Sequence, residues 1–315
     1  MNSQGRNKMK VLITGAAGYI GSELIAHLIN EYQVTAFDNM MYDRTSLLRY
    51  ATHPNFSFIE GDVRDTKTLL KLVAEHDIII PLAALVGFPL CDKDPRGAAE
   101  INFAANRLIA DSKSSEQMLI YPCTNSGYGV VKDGVCTEES PLNPVSLYGK
   151  TKVQAEQVYR DTPGCTTFRL ATIFGPSSRM RSDLLVNNFV WRALQDRLIV
   201  LYECEFMRNY VHIQDVCRAF KHVIDNWDSC KDETYNLGND ALNMNKLQLA
   251  EQIAQHIPLE VVRAEFTSDP DVRDYIVSSE KFYGQGFMCQ YDLHAGIHQL
   301  INTYGMIGEP WYGNY

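Results

Sequence analysis

The chain has 315 residues, of which 45% are hydrophobic and 21% are charged, a composition typical of a globular protein and unlike that of a disordered or collagen-like chain. Its 29 Lys and Arg residues against 38 Asp and Glu residues give a net charge of −9, with no run of five basic residues, which argues against nucleic acid and anionic membranes as partners. No apolar stretch reaches the roughly 20 residues that span a bilayer, and the N-terminus lacks the apolar region of a signal peptide. We therefore expect a cytoplasmic protein that does not contact a membrane.

Strands and helices are predicted to alternate over the first 175 residues, with strands at 10–14, 33–37, 56–59, 78–80, 118–121 and 166–170 and helices at 19–30, 66–75, 95–115 and 146–159. This alternation is typical of an α/β protein with a Rossmann-type, doubly wound parallel sheet. Further along, the pattern predicts helices at 215–225 and 242–257 and a strand at 234–237. We predict a nucleotide-binding domain over 9–175, rejoined near 215–237, and a smaller C-terminal substrate lobe formed mostly by 176–315.

Eight cysteines are scattered singly along the chain, and none forms a CxxC pair. Zinc sites and redox motifs require cysteines in closely spaced pairs such as CxxC. We expect reduced thiols, mostly buried in the core, and no metal site.

A glycine-rich turn follows the first predicted strand. Gly15, Gly18 and Gly21 form a GxxGxxG pattern at the start of the first predicted helix. Bare backbone N–H groups and the positive end of a helix dipole at such a turn bind a pyrophosphate. Glycines also form ordinary tight turns, but this position between strand and helix predicts dinucleotide binding.

An acidic residue ends the second strand. Asp38 follows Gly21 by seventeen residues, where a carboxylate accepts hydrogen bonds from the adenosine ribose. Its charge would repel a 2′-phosphate, and the next residues are Asn39 and Met40 rather than Arg. The pattern therefore favours NAD(H) over NADP(H).

The segment after the third strand, Gly-Asp-Val-Arg-Asp at 61–65, allows two interpretations. Either Asp62 or Asp65 could cap the following helix. The segment could equally border the adenine. Both interpretations stay open at this point.

Tyr148 and Lys152 lie four residues apart at the start of a predicted helix, so they share one face. A lysine ammonium near a phenol, together with an oxidised nicotinamide, favours the phenolate and lowers the tyrosine pKa from about 10. Tyr148 is then a candidate general base. A YxxxK spacing alone is usually a solvated helix pair, but its place downstream of the glycine turn favours the catalytic interpretation.

With these motifs the chain resembles the extended short-chain dehydrogenase/reductase family of nucleotide-sugar epimerases and dehydratases. The resemblance covers roughly residues 9 to 300. It rests on segments 14–21, 61–65, 82–84, 124–129, 148–152, 168–176, 208–216 and 235–238, together with Asn102.

The resemblance implies a catalytic trio of Thr124, Tyr148 and Lys152. Tyr148 would remove the proton of a sugar hydroxyl, Thr124 would hydrogen-bond the same oxygen, and Lys152 would hold the nicotinamide ribose while hydride leaves C4 of the sugar for NAD⁺. The family also implies that NAD is contacted by Gly15, Gly18, Tyr19, Ile20, Asp38, Asn39, Asp62, Val63, Leu82, Ala83, Ala84, Asn102, Tyr148 and Lys152.

The chain departs from the common family pattern at two places. Pro81 stands where the family usually has His, so the loop beside the cofactor is expected to differ. Thr124 is followed by Asn125 and Ser126, where the 4,6-dehydratases carry acids. An amide cannot perform that acid/base step at neutral pH, so we expect a reaction without loss of water.

Within the family, the chain further resembles the bacterial NAD-dependent GDP-heptose 4-dehydrogenases of capsule biosynthesis. The similar segments are 81–87, 124–129, 136–141, 179–181, 183–187, 269–271 and 273–275. In that subgroup Pro81 and the pair Asn125-Ser126 are ordinary features.

A chain of net charge −9 that binds a nucleotide-diphospho-sugar must concentrate positive charge locally, and Arg is the natural partner of phosphate oxygens. By the resemblance, substrate contacts are expected from Thr124, Asn125, Ser126, Arg179, Asn187, Arg208 and Arg273, with Arg181 as a further candidate. Each arginine taken alone is more often a solvated surface residue. His212 lies in an apolar run and is expected to be a core histidine.

Three functions remain in view: a nucleotide-sugar 4-dehydrogenase, a 4-epimerase that uses the same trio, and a non-catalytic NAD-binding regulator. The complete Tyr/Lys/Thr set argues against the regulator, because a sensor needs no tuned phenol. The family also implies a homodimer or a homotetramer, paired through the helices predicted near 98–115 and 148.

Overall fold

The structure, a computed structural model, describes residues 8–264, 273–308 and 313–314. Its strands are β1 (Lys10–Thr14), β2 (Gln33–Asp38), β3 (Phe56–Glu60), β4 (Ile78–Pro81), β5 (Met118–Thr124), β6 (Val130–Cys136), β7 (Cys165–Leu170), β8 (Thr172–Phe174), β9 (Leu198–Leu201), β10 (Met207–His212), β11 (Thr234–Leu237), β12 (Asn239–Asn245), β13 (Glu260–Arg263) and β14 (Asp274–Val277). Its α-helices are α1 (Gly21–Leu28), α2 (Thr66–Ala74), α3 (Phe88–Lys93), α4 (Pro95–Ala98), α5 (Ala105–Ser112), α6 (Leu147–Arg160), α7 (Leu185–Gln195), α8 (Ile213–Asp225), α9 (Trp227–Cys230), α10 (Lys246–Ala254), α11 (Glu280–Tyr283) and α12 (Leu293–Ile307).

Seven parallel strands form the central sheet in the order β3-β2-β1-β4-β5-β7-β11. Both faces are covered, and the apolar runs of β1 and β4 are fully buried, as a parallel sheet requires. The strand order reverses at β1, so a crevice opens at the carboxyl ends of β1 and β4, where open α/β sheets bind their ligands. The predicted Rossmann-type fold is confirmed.

The strand β4 accommodates a proline at its end. Pro81 pairs with Thr14 of β1, but the pairing of β4 with β5 stops at Ile79. Successive residues of a strand direct their backbone groups to opposite neighbours. Leu82 N donates to Thr14 O at 3.0 Å, so Pro81 faces the β5 side, where no ladder hydrogen bond is lost.

In the described part of the chain, three small sheets lie outside the central sheet: one of β8, β10 and β12, one of β9 and β13, and one of β6 and β14. The predicted helix at 242–257 is wrong over its first four residues, because residues 239–245 form β12, which pairs antiparallel with β10. The helix α10 begins only after Asn245, whose side chain caps it reciprocally with Gln248. Residues 234–237 form β11 as predicted and pair with β7 at the edge of the central sheet.

All eight cysteines are unpaired, and seven are buried while Cys289 is half-buried, which agrees with the expectation of core thiols. Within the described ranges, no helix is both long and apolar enough to cross a membrane. His256 Nε2 lies 2.8 Å from His294 Nδ1, and His298 follows one helical turn later. The described residues nevertheless contain no group of three side chains arranged to hold a metal ion.

His212 is completely buried, as expected, between the two lobes. Its ring stacks on Tyr291 with centroids 4.5 Å apart and meets the edge of Phe174. Its Nδ1 accepts a hydrogen bond from Gln214 N at 3.2 Å, which caps α8. Burial lowers the pKa of His212 from 6.5 to about 4.

This burial predicts a loss of stability in mild acid. Below pH 6.5 the unfolded chain binds a proton that folded His212 does not take up until about pH 4, so the free energy of unfolding falls across this window. Between pH 7 and 5 the loss for this group is about 2 kcal/mol. Urea unfolding should therefore show a weaker pH dependence for His212→Asn than for the wild type, and equal dependence would contradict this assignment.

Candidate functional site

A cleft of about 590 Å³ lies at the carboxyl edge of the central sheet, between the sheet and the C-terminal lobe. Most of the residues expected to bind cofactor or substrate line it. They are Gly15, Gly18, Tyr19, Ile20, Asp38, Asn39, Asp62, Val63, Leu82, Ala83, Ala84, Thr124, Tyr148, Lys152, Arg179, Arg208 and Arg273. The fold thus collects residues from most of the chain at one edge.

The turn between β1 and α1 forms a cradle of bare backbone. Gly15 has a φ of +68°, and a Cβ there would lie 2.5 Å from Ala83 N, so no other residue fits without displacing the neighbouring loop. A Cβ on Gly21 would lie 2.6 Å from Ala16 O. The close approach of loop, strand and helix is the one that a pyrophosphate at a helix N-terminus requires.

Asp38 is fixed beside this cradle. Its carboxylate accepts hydrogen bonds from Ala17 N at 3.0 Å and from Met40 N at 2.7 Å. Burial raises the pKa of Asp38 and these two N–H groups lower it. The carboxylate is therefore tied to the glycine turn, in the place expected for a ribose-binding group.

The structure divides the two roles considered for the 61–65 segment. Asp65 caps α2 by accepting a hydrogen bond from Thr68 N, whereas Asp62 lines the cleft. Arg64 donates two hydrogen bonds to Asp62 and lowers the pKa of that carboxyl to about 2. Asp62 is consequently ionised at the cleft wall, where Asn39 also donates to it at 3.2 Å.

Asn102 does not line the cleft but supports one of its loops. It is fully buried in a π-helical turn (Ala99–Ala104) between α4 and α5. Its Oδ1 accepts from Leu85 N at 2.8 Å, and its Nδ2 donates to Leu85 O and Thr151 Oγ1. Asn102 therefore holds the end of the 82–85 loop, and its contact with the cofactor stays a prediction.

The three expected catalytic residues come from two adjacent elements. Thr124 ends β5, and its Oγ1 lies 2.9 Å from Ser126 Oγ. Tyr148 and Lys152 lie in the first turns of α6, whose N-terminus is capped by Ser146. All three line the cleft, and the Lys152 ammonium lies 4.1 Å from the centroid of the Tyr121 ring.

Burial dominates the electrostatics of Tyr148 and Lys152. It raises the pKa of Tyr148 above 10, while the charges of Arg181 and Arg273 lower it. It lowers the pKa of Lys152 from 10.5 to about 8. Lys152, which was expected to lower the pKa of Tyr148, is not among the leading causes of its shift: burial is the largest, and the charges that lower this pKa are those of Arg181 and Arg273.

A buried ion pair anchors the helix that carries Tyr148 and Lys152. Glu156 lies one turn beyond Lys152 and pairs with Arg169 of β7 at 2.7 Å, with both side chains 1% exposed. Arg169 also donates to Tyr128 Oη at 3.1 Å, and Tyr128 is the last residue of the turn (Asn125–Tyr128) that follows Thr124. The same guanidinium therefore connects α6, β7 and the Thr124 turn.

Several cations of the C-terminal lobe that line the cleft are buried rather than solvated. Arg179 is 3% exposed and Arg208 is 2% exposed, and Arg181 is held by Asp183 through two hydrogen bonds. Lys246, at the start of α10, also lines the cleft and is 5% exposed. The sequence did not indicate Lys246, because its place in the cleft lining follows from the long-range pairing of β12, which it follows, with β10, which carries Arg208.

Three residues expected to touch the substrate lie behind the cleft wall. Asn187 is fully buried, accepts from Gly175 N at 3.0 Å and donates to Arg181 O at 2.9 Å, and the next residue, Asn188, lines the cleft instead. Ser126 is bonded to Thr124, and Asn125 is 1% exposed with no hydrogen-bond partner for its amide among the described residues. The 269–271 segment lies outside the described residues.

The model of the NAD dependent epimerase/dehydratase family matches residues 11–238 of the chain. The chain belongs to this family. NAD is therefore its cofactor, in agreement with the glycine cradle and Asp38. A curated relative, the low-salt glycan biosynthesis protein Agl12 of Haloferax volcanii, is 28% identical over 310 residues, which are 94% of this chain and 98% of the relative.

Two solved structures illustrate the range of proteins with this fold. The dTDP-glucose 4,6-dehydratase of Bacillus anthracis, in complex with NAD, has a TM-score of 0.81 at 24% identity and covers 96% of this chain and 98% of its own. The UDP-glucuronic acid 4-epimerase of Bacillus cereus, in complex with UDP-glucuronic acid and NAD, has a TM-score of 0.84 at 22% identity and covers 95% of this chain and all of its own. Proteins with this fold thus include a dehydratase and an epimerase.

The buried ammonium of Lys152 is predicted to lower the free energy of unfolding of the protein. Because burial holds the pKa of Lys152 near 8, charging it at pH 7 costs folding free energy that an apolar side chain would not. Lys152→Met should increase the free energy of unfolding of the NAD-free protein by about 1–3 kcal/mol and so raise its melting temperature. The same variant should abolish turnover. The exposed control Lys71→Met should change neither, and destabilisation by Lys152→Met would contradict the assignment.

Proposed function

We propose that the protein oxidises C4 of a nucleotide-diphospho-sugar to a 4-keto sugar, with a GDP-heptose-like compound as substrate. The observation that carries the proposal is the composition of the cleft. One wall holds Thr124, Tyr148 and Lys152 beside the glycine cradle, and the other holds the buried cations Arg208 and Lys246 together with Arg273. A diphosphate held by the second wall would present its sugar to the first.

Each residue of the trio has a distinct task in this reaction. Tyr148 removes the proton of the sugar 4-hydroxyl, and Thr124 hydrogen-bonds the same oxygen. Lys152 holds the nicotinamide ribose and supplies positive charge beside the phenol. NAD, when bound, supplies the acceptor for the hydride and the additional positive charge of its oxidised ring.

The positions of the carboxylates that line the cleft support a reaction without loss of water, because none of those in the described residues is a free acid on the substrate side. Of the carboxylates that line it in the described part of the chain, Asp38, Asp43 and Asp62 belong to the cofactor half, and Asp183 is paired with Arg181. Elimination needs an acid and a base beside the sugar. The turn after Thr124 offers Asn125 and Ser126 in their place.

A 4-epimerase is the alternative function. It would use the same trio, rotate the keto sugar and return the hydride to the other face. The architecture shared with the epimerase of Bacillus cereus supports this alternative. The proposal of a GDP-heptose-like substrate rests separately on the resemblance of segments such as 81–87 and 179–181.

The first test of the mechanism is removal of the transferable proton. Tyr148→Phe should lower kcat by about 10²–10⁴-fold and leave NAD affinity within a few-fold, because the ring still fills its place. Thr124→Ala should cost about 10²-fold. Steady-state rates and NAD titrations of both variants, with the surface variant Tyr202→Phe as control, would measure this. Near-normal turnover by Tyr148→Phe would refute the assigned role.

The second test is the identity of the product. The protein is incubated with GDP-heptose, GDP-mannose, UDP-glucose and UDP-N-acetylglucosamine, with and without 2-oxoglutarate as oxidant for NADH, and the products are analysed by mass spectrometry. A product lighter by two hydrogens supports the dehydrogenase, and unchanged mass with inverted C4 supports the epimerase. Loss of one water would overturn the argument from Asn125 and Ser126.

A further inference from the structure

Arg179 is a buried cation without an ion-pair partner among the described residues. It is 3% exposed, and its guanidinium donates to Met180 O, to Gly313 O at 3.2 Å and to Asn314 Oδ1 at 3.0 Å. These acceptors are all neutral. A buried charge normally has an opposite charge in contact with it, so the surroundings of Arg179 are suited to an anionic ligand in the cleft that it lines.

The neighbouring arginine is in a different situation. Arg181 is neutralised by Asp183, which binds it through both carboxylate oxygens. Asp183 and Asp43 influence Arg179 only from a greater distance, and burial lowers the pKa of its guanidinium. Of these two arginines, Arg179 is the one that contributes net positive charge to the cleft.

The segment that carries Arg179 lies against the glycine cradle. Ser177 Oγ donates to Tyr19 O at 2.8 Å and lies 3.1 Å from Ser22 Oγ. Ser178 N donates to Glu23 Oε1 at 2.8 Å. Arg179 therefore enters the cleft next to the turn that is built to receive the pyrophosphate of the cofactor.

Arg179 also contacts the loop that follows β2, on the ribose side of the glycine cradle. Its Cζ lies 4.8 Å from the ring centroid of Tyr42, a cation–π contact. Tyr42 lies in the loop that follows Asp38 and Asn39, and it too lines the cleft. The contact thus joins the loop on the ribose side of the cradle to the segment between the two lobes.

We propose that Arg179, held against Tyr42, binds the pyrophosphate of NAD(H) and slows release of the cofactor, rather than binding the substrate. The contact between the two side chains lies in the lining of the cleft, and in this proposal the dinucleotide leaves more slowly while the contact is closed. Arg208, Arg273 and Lys246 serve the substrate diphosphate. This inference needs only the cofactor and does not depend on which sugar is the substrate.

Cofactor retention has a consequence for the net reaction. A 4-dehydrogenase accumulates NADH, which must either leave or be reoxidised in place. Slow release favours reoxidation by a second keto compound on the enzyme, and it equally suits an epimerase that recycles its hydride. A low dissociation rate for NADH is therefore expected under either proposed function.

The test measures NADH release directly. The protein loaded with NADH is mixed with excess ADP-ribose, and the loss of bound-NADH fluorescence gives the dissociation rate. Arg179→Met should raise this rate by about 10–100-fold, the value of a charge-assisted hydrogen bond. Tyr42→Ala should raise it several-fold, whereas Tyr42→Phe, which keeps the ring, should leave it unchanged.

Two matched variants separate cofactor from substrate. Arg208→Met should leave NADH release unchanged and weaken substrate binding, and the exposed Arg192→Met should change neither. If Arg179→Met leaves NADH release within two-fold of the wild type and instead raises the KM for substrate, the proposal is wrong. If Arg179→Met does not fold, the pair Tyr42→Ala and Tyr42→Phe decides, and equal release rates for these two variants would overturn it.

Discussion

The geometry of the catalytic wall depends on one buried ion pair, that between Glu156 and Arg169. Both side chains are 1% exposed, and a charge left alone at such depth costs about 3–5 kcal/mol. The pair therefore holds α6, with Tyr148 and Lys152, against β7. Through Tyr128 the same guanidinium also supports the turn that begins at Thr124. The spatial relation of the trio thus follows from an interaction that lies outside the cleft.

Desolvation sets the chemistry of the cleft. The chain carries a net charge of −9, yet the lobe wall of the cleft contains the cations Arg179, Arg181, Arg208, Lys246 and Arg273 with Asp183 as their lining carboxylate. Burial lowers the pKa values of Lys152 and Arg179, so their charges are maintained at a cost in folding free energy. Anionic ligands offset this cost, which is a common compromise between stability and function.

Local patterns predicted most of the residues that line the cofactor half of the cleft, and they predicted fewer of those that line the substrate half. The glycine turn, Asp38 and the YxxxK pair are short motifs whose spacing specifies a single geometry within a βα unit. The contacts of the C-terminal lobe depend instead on long-range pairing. The β12 ladder with β10 displaced the predicted helix start and brought Lys246 to the cleft. Successive residues of a helix face different directions, so in α7 Asn188 lines the cleft while Asn187 is buried.

The sequence by itself determined the fold and the cofactor and predicted residues that the structure brings together at the cleft, because each is encoded by residues close together in the chain or by the alternation of its elements. Only the tertiary structure decided that Asp65 caps α2 while Asp62 lines the cleft, that Asn102 supports a loop, and that Arg179 and Arg208 are buried. The physical reason is that burial and ion pairing depend on neighbours distant in sequence. The sequence does not distinguish a charged residue that is solvated from one that is buried, but the pKa and the interactions of that residue differ between these two environments.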